Sequence, residues 1–208
     1  MNKEINRAIS IVLPNKKVNL FVISGIIVGL ACGAIFLSLL SSGDKNLVVT
    51  KIRDFMESIH NNTLDSGLAF KNALIINFSY IILIWLLGFS IIGLVINFIA
   101  NYFKSFILGF TLSSLSYTYH FKGIVAVFIY TIPTQIINIG VYLILGVYTI
   151  MMTNMLIKTI FKKQQNLKGF FKKYVLILGI VSVMALISSL CEAFILPWFL
   201  KIVIKLFV

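Results

Sequence analysis

The chain has 208 residues, of which 60% are apolar and only 12% are charged, and its mean hydropathy is +1.03. A soluble domain of this size has roughly a quarter of its residues charged, so the composition excludes an ordinary water-soluble fold. Apolar runs of about twenty residues can cross roughly 30 Å of hydrocarbon. We therefore predict an all-α, polytopic membrane protein of a single domain with about five transmembrane helices, within a range of four to six.

The net charge of +12 is concentrated beside the apolar runs. Residues 1–17 hold four basic residues against one acid, and residues 158–173 hold six lysines and no acid, whereas the loop at 41–72 is balanced in charge. By the positive-inside rule both basic segments are expected to be cytoplasmic, and the balanced loop extracytoplasmic. Attraction to the lipid bilayer explains the lysines better than nucleic acid does, so no nucleic-acid partner is predicted.

The predicted spans, in chain order, are residues 18–40, 73–102, 105–119, 123–157 and 174–196. The first is too long for a signal-peptide core and is read as a retained anchor. The second is expected to reach the cytoplasm near Lys104, and the third is short. The fourth is too long for one straight crossing, so a broken or re-entrant helix is expected near Pro133. Residues 197–208 are expected to lie at the membrane interface.

Two patterns in the first third of the chain indicate contact surfaces. The first span carries Gly25, Gly29 and Gly33 four residues apart, a ridge that lets another helix approach closely. This favours packing within the chain over contact with a second copy. In the outer loop, apolar residues recur at helical spacing opposite charged ones. Such a helix either lies on the outer membrane surface or docks an extracytoplasmic partner, and its candidate contact residues are Ile52, Phe55, Met56 and Ile59.

Polar residues within the later spans are the other candidates. Gln135 and Asn138 lie within about a turn of Pro133, where they can satisfy backbone groups freed by the proline or bond to a neighbouring helix. Glu192 is the only acid after residue 66. We expect it near the outer face of the membrane, five residues before Pro197 ends the helix, as a structural or docking residue.

No pattern typical of catalysis is present. His60 and His120 are isolated, and Cys32 and Cys191 have no spacing motif that would indicate a metal site or a disulfide. We therefore predict that the protein is not an enzyme and that it takes no cofactor and no metal.

Four motifs resemble the stage II sporulation protein M family. They are "IWLLGFSIIGL" (84–94), "FKSFILGFTLSSL" (103–115), "KGIVAVFIYTIPTQIINIG" (122–140) and "SLCEAFILP" (189–197). Their order and intervals, together with "GLACGAIF" (29–36) in the first span, extend the resemblance over nearly the whole chain.

The resemblance implies a role in endospore formation. Proteins of this family act in septal thinning and engulfment of the forespore, in the cell membrane, the septum and the engulfing membrane. Their implied partners are two membrane-anchored peptidoglycan hydrolases, a lytic transglycosylase and an amidase/endopeptidase known as stage II sporulation proteins D and P. The chain would then be a non-enzymatic scaffold that recruits or organises them. The alternative is a small permease or the membrane subunit of a transporter, since polar groups on discontinuous helices build transport sites.

Overall fold

Helices account for nearly all of the computed structural model, which describes residues 15–61, 63–162 and 167–207. In chain order they are α1 (Lys16–Leu39), α2 (Ser42–His60), α3 (Ser66–Leu87), α4 (Gly93–Tyr130), a first π turn (Thr131–Gln135), α5 (Ile136–Lys162), α6 (Leu167–Leu190), a second π turn (Cys191–Ile195) and α7 (Leu196–Phe207).

Five stretches of the described chain are long and apolar enough to cross a membrane. They are Lys16–Leu39, Ser66–Leu87, Gly93–Tyr130, Ile136–Phe161 and Leu167–Ile202. The prediction of a helical, multi-pass membrane protein with about five spans is confirmed.

Side-chain caps explain where three helices begin. Asn15 accepts hydrogen bonds from the backbone amides of the first turn of α1, and Asp65 does the same for α3. Ser41 accepts from the amide of Asp44 at the start of α2. An oxygen at this position satisfies amides that have no partner within the helix, so these residues separate α2 from the spans on either side.

The predicted second and third spans have the wrong boundaries. The chain turns at residues 88–92, so 73–102 is not one helix, and residues 105–119 belong to the longer α4. Lys104 therefore lies 11 residues inside α4, about 16 Å from its start, and not at the end of a helix. The predicted boundary was placed near Lys104 because a charged residue usually ends a span. In the structure Lys104 lines a polar cavity inside the bundle instead.

Hydrogen bonds from other helices satisfy the carbonyl groups at the turn between α3 and α4. The Thr153 hydroxyl lies 3.2 Å from the carbonyl oxygen of Gly88, and the Tyr174 hydroxyl donates to the carbonyl of Trp85 at 2.7 Å. The Thr149 hydroxyl is 3.2 Å from the carbonyl oxygen of Ile84. Irregular backbone within a membrane protein needs such internal partners, which is why the turn can exist beside apolar spans.

The main reversal in the second half of the chain is at His120, whose φ of 52° and ψ of −126° interrupt α4. Gly123 packs against the backbone of Leu115, eight residues earlier, although a straight helix would separate them by about 12 Å. The chain therefore folds back between the predicted third and fourth spans. The fourth runs from here through the first π turn into α5, and so begins before residue 123.

Both π turns are associated with a proline. Pro133 lies inside the first, and Pro197 follows the second within α7. In each turn a backbone amide bonds five residues back, from Ile136 to Thr131 and from Leu196 to Cys191. Proline has no amide hydrogen to continue the ordinary α-helical ladder. The α-helix is thus interrupted near Pro133, as predicted, by a π turn and not by a re-entrant loop.

Three predicted segments differ from the structure near their ends. Pro197 does not end its helix, because α7 continues to Phe207, and the fifth span begins at Leu167 and not at residue 174. The predicted cytoplasmic loop at 158–173 is largely helical. Its residues 163–166, like residues 1–14 of the predicted tail and residue 208 at the C-terminus, lie outside the described residues.

Candidate functional site

A polar cavity of about 290 Å³ lies between α3, α4 and the two π turns. Its polar lining consists of Asn77, Lys104, Thr111, Tyr130, Gln135, Asn138, Tyr142 and Glu192, and its apolar lining of Ala73, Ile76, Ile107 and Leu108. A cavity inside the spans with charges of both signs is costly to maintain in hydrocarbon, and such residues mark functional sites. We therefore take it as the candidate site.

The depth of the cavity follows from a hydrogen bond between α3 and α6. Asn77 lies at the middle of α3, 11 residues after Ser66 and 10 before Leu87. Its amide nitrogen donates to the Ser189 hydroxyl at 3.0 Å. Glu192 is three residues beyond Ser189, about 4.5 Å along the axis. Two residues further on, the Phe194 ring contacts that of Phe70 near the start of α3, with 6.0 Å between ring centroids. Glu192 therefore lies between the levels of Asn77 and Phe70 in the bundle, and its position near the outer face of the membrane stays a prediction.

The two charged groups face each other across the cavity without touching. Lys104 and Glu192 interact electrostatically, but within the described part of the chain no direct ion pair joins them. The Lys104 ammonium lies 5.2 Å from the centre of the Tyr80 ring, a favourable cation–π distance. The carboxylate of Glu192 has no comparable contact with its surroundings among the residues described.

A chain of hydrogen bonds begins at Tyr80, whose ring contacts Lys104. The Tyr80 hydroxyl donates to the side-chain oxygen of Asn101 at 3.1 Å, and the amide nitrogen of Asn101 donates to the side-chain oxygen of Asn97 at 2.7 Å. Asn97 in turn donates to the Gly146 carbonyl at 3.0 Å. Because all three side chains are buried, these bonds join α3, α4 and α5 inside the bundle.

The π turns bring two predicted residues into the cavity. Gln135 closes the first turn and Glu192 lies in the second. The Ser188 hydroxyl, next to the second turn, donates to the Thr134 carbonyl at 3.3 Å. Short π segments inside α-helices frequently occur at functional sites, and here the paired turns set the position of an amide and a carboxylate on facing helices.

The cavity opens sideways between α3 and α4. Ile76 and Ile107 line it, yet 57% and 59% of their surfaces are exposed on the outside of the bundle. A second cavity, of about 310 Å³, lies on the α2 side of Thr111, which lines both. Its other lining residues are Leu47, Val48, Lys51, Ile52, Phe110 and Ser114. The two together form a furrow from α2 to the centre of the bundle.

Of the predicted site residues, Gln135, Asn138 and Glu192 meet in the cavity, while Pro133 lies in the adjoining turn. Sequence reasoning missed Lys104 and Asn77. One signal could have found Lys104, since it and Lys122 are the only basic residues between positions 72 and 157. An isolated lysine and an isolated glutamate in neighbouring spans are candidates for one site.

The three glycines of α1 lie against α4 and not against a free surface. A methyl group added at Gly25 would meet the Phe98 ring at 2.8 Å, and one at Gly29 would lie 2.6 Å from the Tyr102 carbonyl oxygen. At Gly33 it would overlap the Phe106 carbonyl. The register of these contacts is parallel, and backbone meets backbone along it. We call this contact the glycine seam.

Helix α2 packs its apolar side onto the protein itself. Met56 and Ile59 are buried in a cluster with Leu196 and Leu200 of α7, and Ile52 packs against its edge. Phe55 lies outside this cluster and is 41% exposed. The predicted contact residues thus divide into three that dock the helix on the bundle and one, Phe55, that remains accessible.

Within residues 15–61, 63–162 and 167–207, no group of His, Cys, Asp and Glu could hold a metal ion. His60 and His120 are both exposed and Cys32 and Cys191 are free thiols. The chemistry that the cavity offers is binding, through one cation, one carboxylate, amides and phenols.

Comparison with known proteins gives one match. The family model of stage II sporulation protein M matches residues 19–197. No curated protein and no solved structure matches the chain.

Proposed function

The chain belongs to the stage II sporulation protein M family, and from this premise we propose that it is a non-enzymatic scaffold of the endospore engulfment machinery. It recruits or organises a membrane-anchored lytic transglycosylase and an amidase/endopeptidase, stage II sporulation proteins D and P, for peptidoglycan remodelling. It acts in the septum and the engulfing membrane with its N-terminus in the cytoplasm. Family membership alone makes it a sporulation-related, multi-pass membrane protein.

The observation that carries the proposal is the outward side of α2. Met56 and Ile59 attach this helix to α7, so its opposite side is held rigidly above the bundle. Around the rest of the helix Arg53, Asp54 and Phe55 are exposed, so α2 presents an aromatic anchor and charges of both signs. Aromatic residues and arginine are enriched where proteins bind each other. An extracytoplasmic partner can therefore dock on this side without disturbing the spans.

The test is a pair of α2 variants in sporulating cells that carry fluorescent fusions of both hydrolases. Phe55→Ala together with Arg53→Glu should leave the protein level unchanged but disperse at least one hydrolase from the septum. Ile59→Ala is the matched control, since truncating a buried residue lowers stability and protein level. Normal septal recruitment of both hydrolases by the outward-side variant, at a normal protein level, would contradict this use of α2.

The second candidate is a small permease or transporter subunit, and the polar cavity favours it. Transport sites often use helices that are not continuous α-helices, and Gln135 and Glu192 come from such helices and line one cavity. A Gln135→Leu, Glu192→Gln double variant discriminates between the two roles. Full engulfment together with loss of a solute flux would favour transport, whereas an engulfment defect without any flux change would favour the scaffold.

A further inference from the structure

The cavity between α3 and α4 holds charges that the protein itself does not neutralise by contact. A charge at the centre of a bilayer costs on the order of 3 kcal/mol on insertion scales. Lys104 and Glu192 both lie within apolar helices long enough to span a membrane, and they form no direct ion pair with each other among the residues described. The 290 Å³ between and around them can therefore hold a polar ligand that contacts both groups.

The groups around the cavity match a ligand with two opposite charges. Lys104 offers an ammonium to an anionic group, and Glu192 offers a carboxylate to a cationic group. The side-chain amides of Asn77, Gln135 and Asn138 can donate and accept hydrogen bonds, as a dipolar molecule requires. A ligand with a single charge would leave one of the two protein charges without a partner, which is costly inside a membrane.

The route into the cavity indicates where such a molecule comes from. The rim at Ile76 and Ile107 is exposed on the outside of the spans, so the cavity opens to the acyl chains of the bilayer. The adjoining cavity leads from Thr111 towards Lys51 on α2. The surface of this adjoining cavity is almost entirely apolar. An apolar rim and an apolar neighbouring cavity, beside a cavity that holds both charges, suit a molecule that has a polar head and apolar tails.

We propose that this furrow binds the zwitterionic phosphoethanolamine headgroup of a membrane phospholipid, with its phosphate towards Lys104 and its ammonium towards Glu192. The acyl chains leave between Ile76 and Ile107 into the bilayer. This site lies apart from the outward side of α2, so it stands whether or not α2 binds the hydrolases.

The experiment is a lipid-binding titration of the purified full chain in detergent, read by native mass spectrometry. The probes are phosphatidylethanolamine and phosphatidylglycerol with identical acyl chains, which share the phosphate and differ in the ammonium. The wild-type chain should retain phosphatidylethanolamine about tenfold more tightly, the factor expected for one charge-assisted hydrogen bond. Equal retention of the two lipids would overturn the proposal.

Two single variants should change this preference in different ways. Glu192→Gln should weaken phosphatidylethanolamine binding about tenfold and leave phosphatidylglycerol binding unchanged. Lys104→Met should weaken the binding of both lipids, because both carry the phosphate. Lys172→Met and Asp44→Asn make the same chemical changes at exposed positions and should alter neither affinity. A Glu192→Gln variant that loses both lipids equally would count against the assigned orientation.

A double variant guards against misfolding of either single variant. Lys104→Met with Glu192→Gln leaves no uncompensated charge in the bundle, so it should fold and should bind the two lipids equally. Retention of the wild-type preference by this variant would refute the site. Free phosphoethanolamine is the last probe, since it has the same charges without acyl chains. It should not displace the lipid at equal concentration, and displacement would assign the site to a soluble zwitterion instead.

Discussion

The two sides of α4 differ in how closely they meet their neighbours. Towards α1, the glycine seam brings backbone against backbone, with Gly29 beside the Tyr102 carbonyl and Gly109 beside the Leu30 carbonyl. Towards α3, the same helix stands away and leaves the polar cavity that contains Lys104. The same helix is therefore closely packed on the side that faces α1 and lines a cavity on the side that faces α3.

The difference follows from side-chain size and polarity. Without hydrophobic attraction between helices in lipid, close packing needs small residues such as glycine, and α1 supplies them every four residues. The side of α4 at Lys104 and Thr111 has longer or polar side chains, which prevent such an approach and need polar surroundings. We infer that the seam fixes α4 so that the cavity beside it keeps its shape.

Filling the seam should have the largest effect. Gly33→Ala would drive a methyl group into the Phe106 carbonyl, and the backbone must shift to relieve it. Overpacking of this kind costs about 3 kcal/mol, measured as the free energy of unfolding in mixed detergent micelles. Gly179→Ala is the matched control because nothing lies within 4 Å of its added methyl group, and it should be neutral. Equal stability of the two variants would mean that α1 and α4 are not in tight contact.

Removing one charge from the cavity should have the next largest effect. Lys104→Met leaves Glu192 without an opposite charge and should cost about 2 kcal/mol of unfolding free energy. That is less than the loss on breaking a buried pair in direct contact, because these groups do not touch. The Lys104→Met, Glu192→Gln double variant should recover at least half of this loss. A double variant whose loss is the sum of the single losses would show that the two groups are not coupled.

Removing the hydroxyl group of Tyr80 should have the smallest effect. Tyr80→Phe removes the hydroxyl that donates to Asn101 at 3.1 Å but keeps the ring below Lys104. Hydrogen bonds between spans contribute about 0.6 kcal/mol on average, so the loss of unfolding free energy should be of that size. Tyr117→Phe, at a 49% exposed position, should cause no loss of unfolding free energy. An equal loss at both positions would mean that the Tyr80–Asn101 hydrogen bond does not stabilise the fold.

Apolar length and spacing predicted the number of spans, the α2 helix and an interruption near Pro133. These features depend on the composition of one segment at a time, which a single sequence displays directly. The turn at residues 88–92 was missed because the charge of Lys104 looked like the end of a span. Gly88, Ser90 and Gly93 were the local signal for the turn, but its stability depends on Thr153 and Tyr174, far away in the sequence.

Only some residues of the candidate site could be predicted, because the others are brought in by contacts between segments that are distant in the sequence. Gln135, Asn138 and Glu192 stood out as polar residues in apolar runs, and the structure brings them together. Asn77 and Lys104 join them only because α3 and α4 stand apart at this point. The spacing of apolar residues within either helix does not predict that separation. The expected helix end at Pro197 was wrong, because a π turn before the proline lets the helix continue through it.

The most direct test of the difference between the two sides of α4 is to compare how readily a thiol on each side reacts. Cys32 and Cys191 are replaced by alanine, and a single cysteine is introduced as Ser105→Cys beside the seam or as Thr111→Cys in the furrow. Ile99→Cys, on a side chain that is 45% exposed on the outside of α4, serves as the lipid-facing control. Only a thiol in contact with water ionises and reacts readily with a charged methanethiosulfonate reagent.

We expect Thr111→Cys to react at least about tenfold faster than the other two variants, because its thiol lines an open cavity beside charged groups and can ionise there. Ser105→Cys should remain unmodified, because Ser105 is 3% exposed and lies against Gly29. Equal rates at Ser105→Cys and Thr111→Cys would contradict the distinction between a closely packed seam and an accessible cavity.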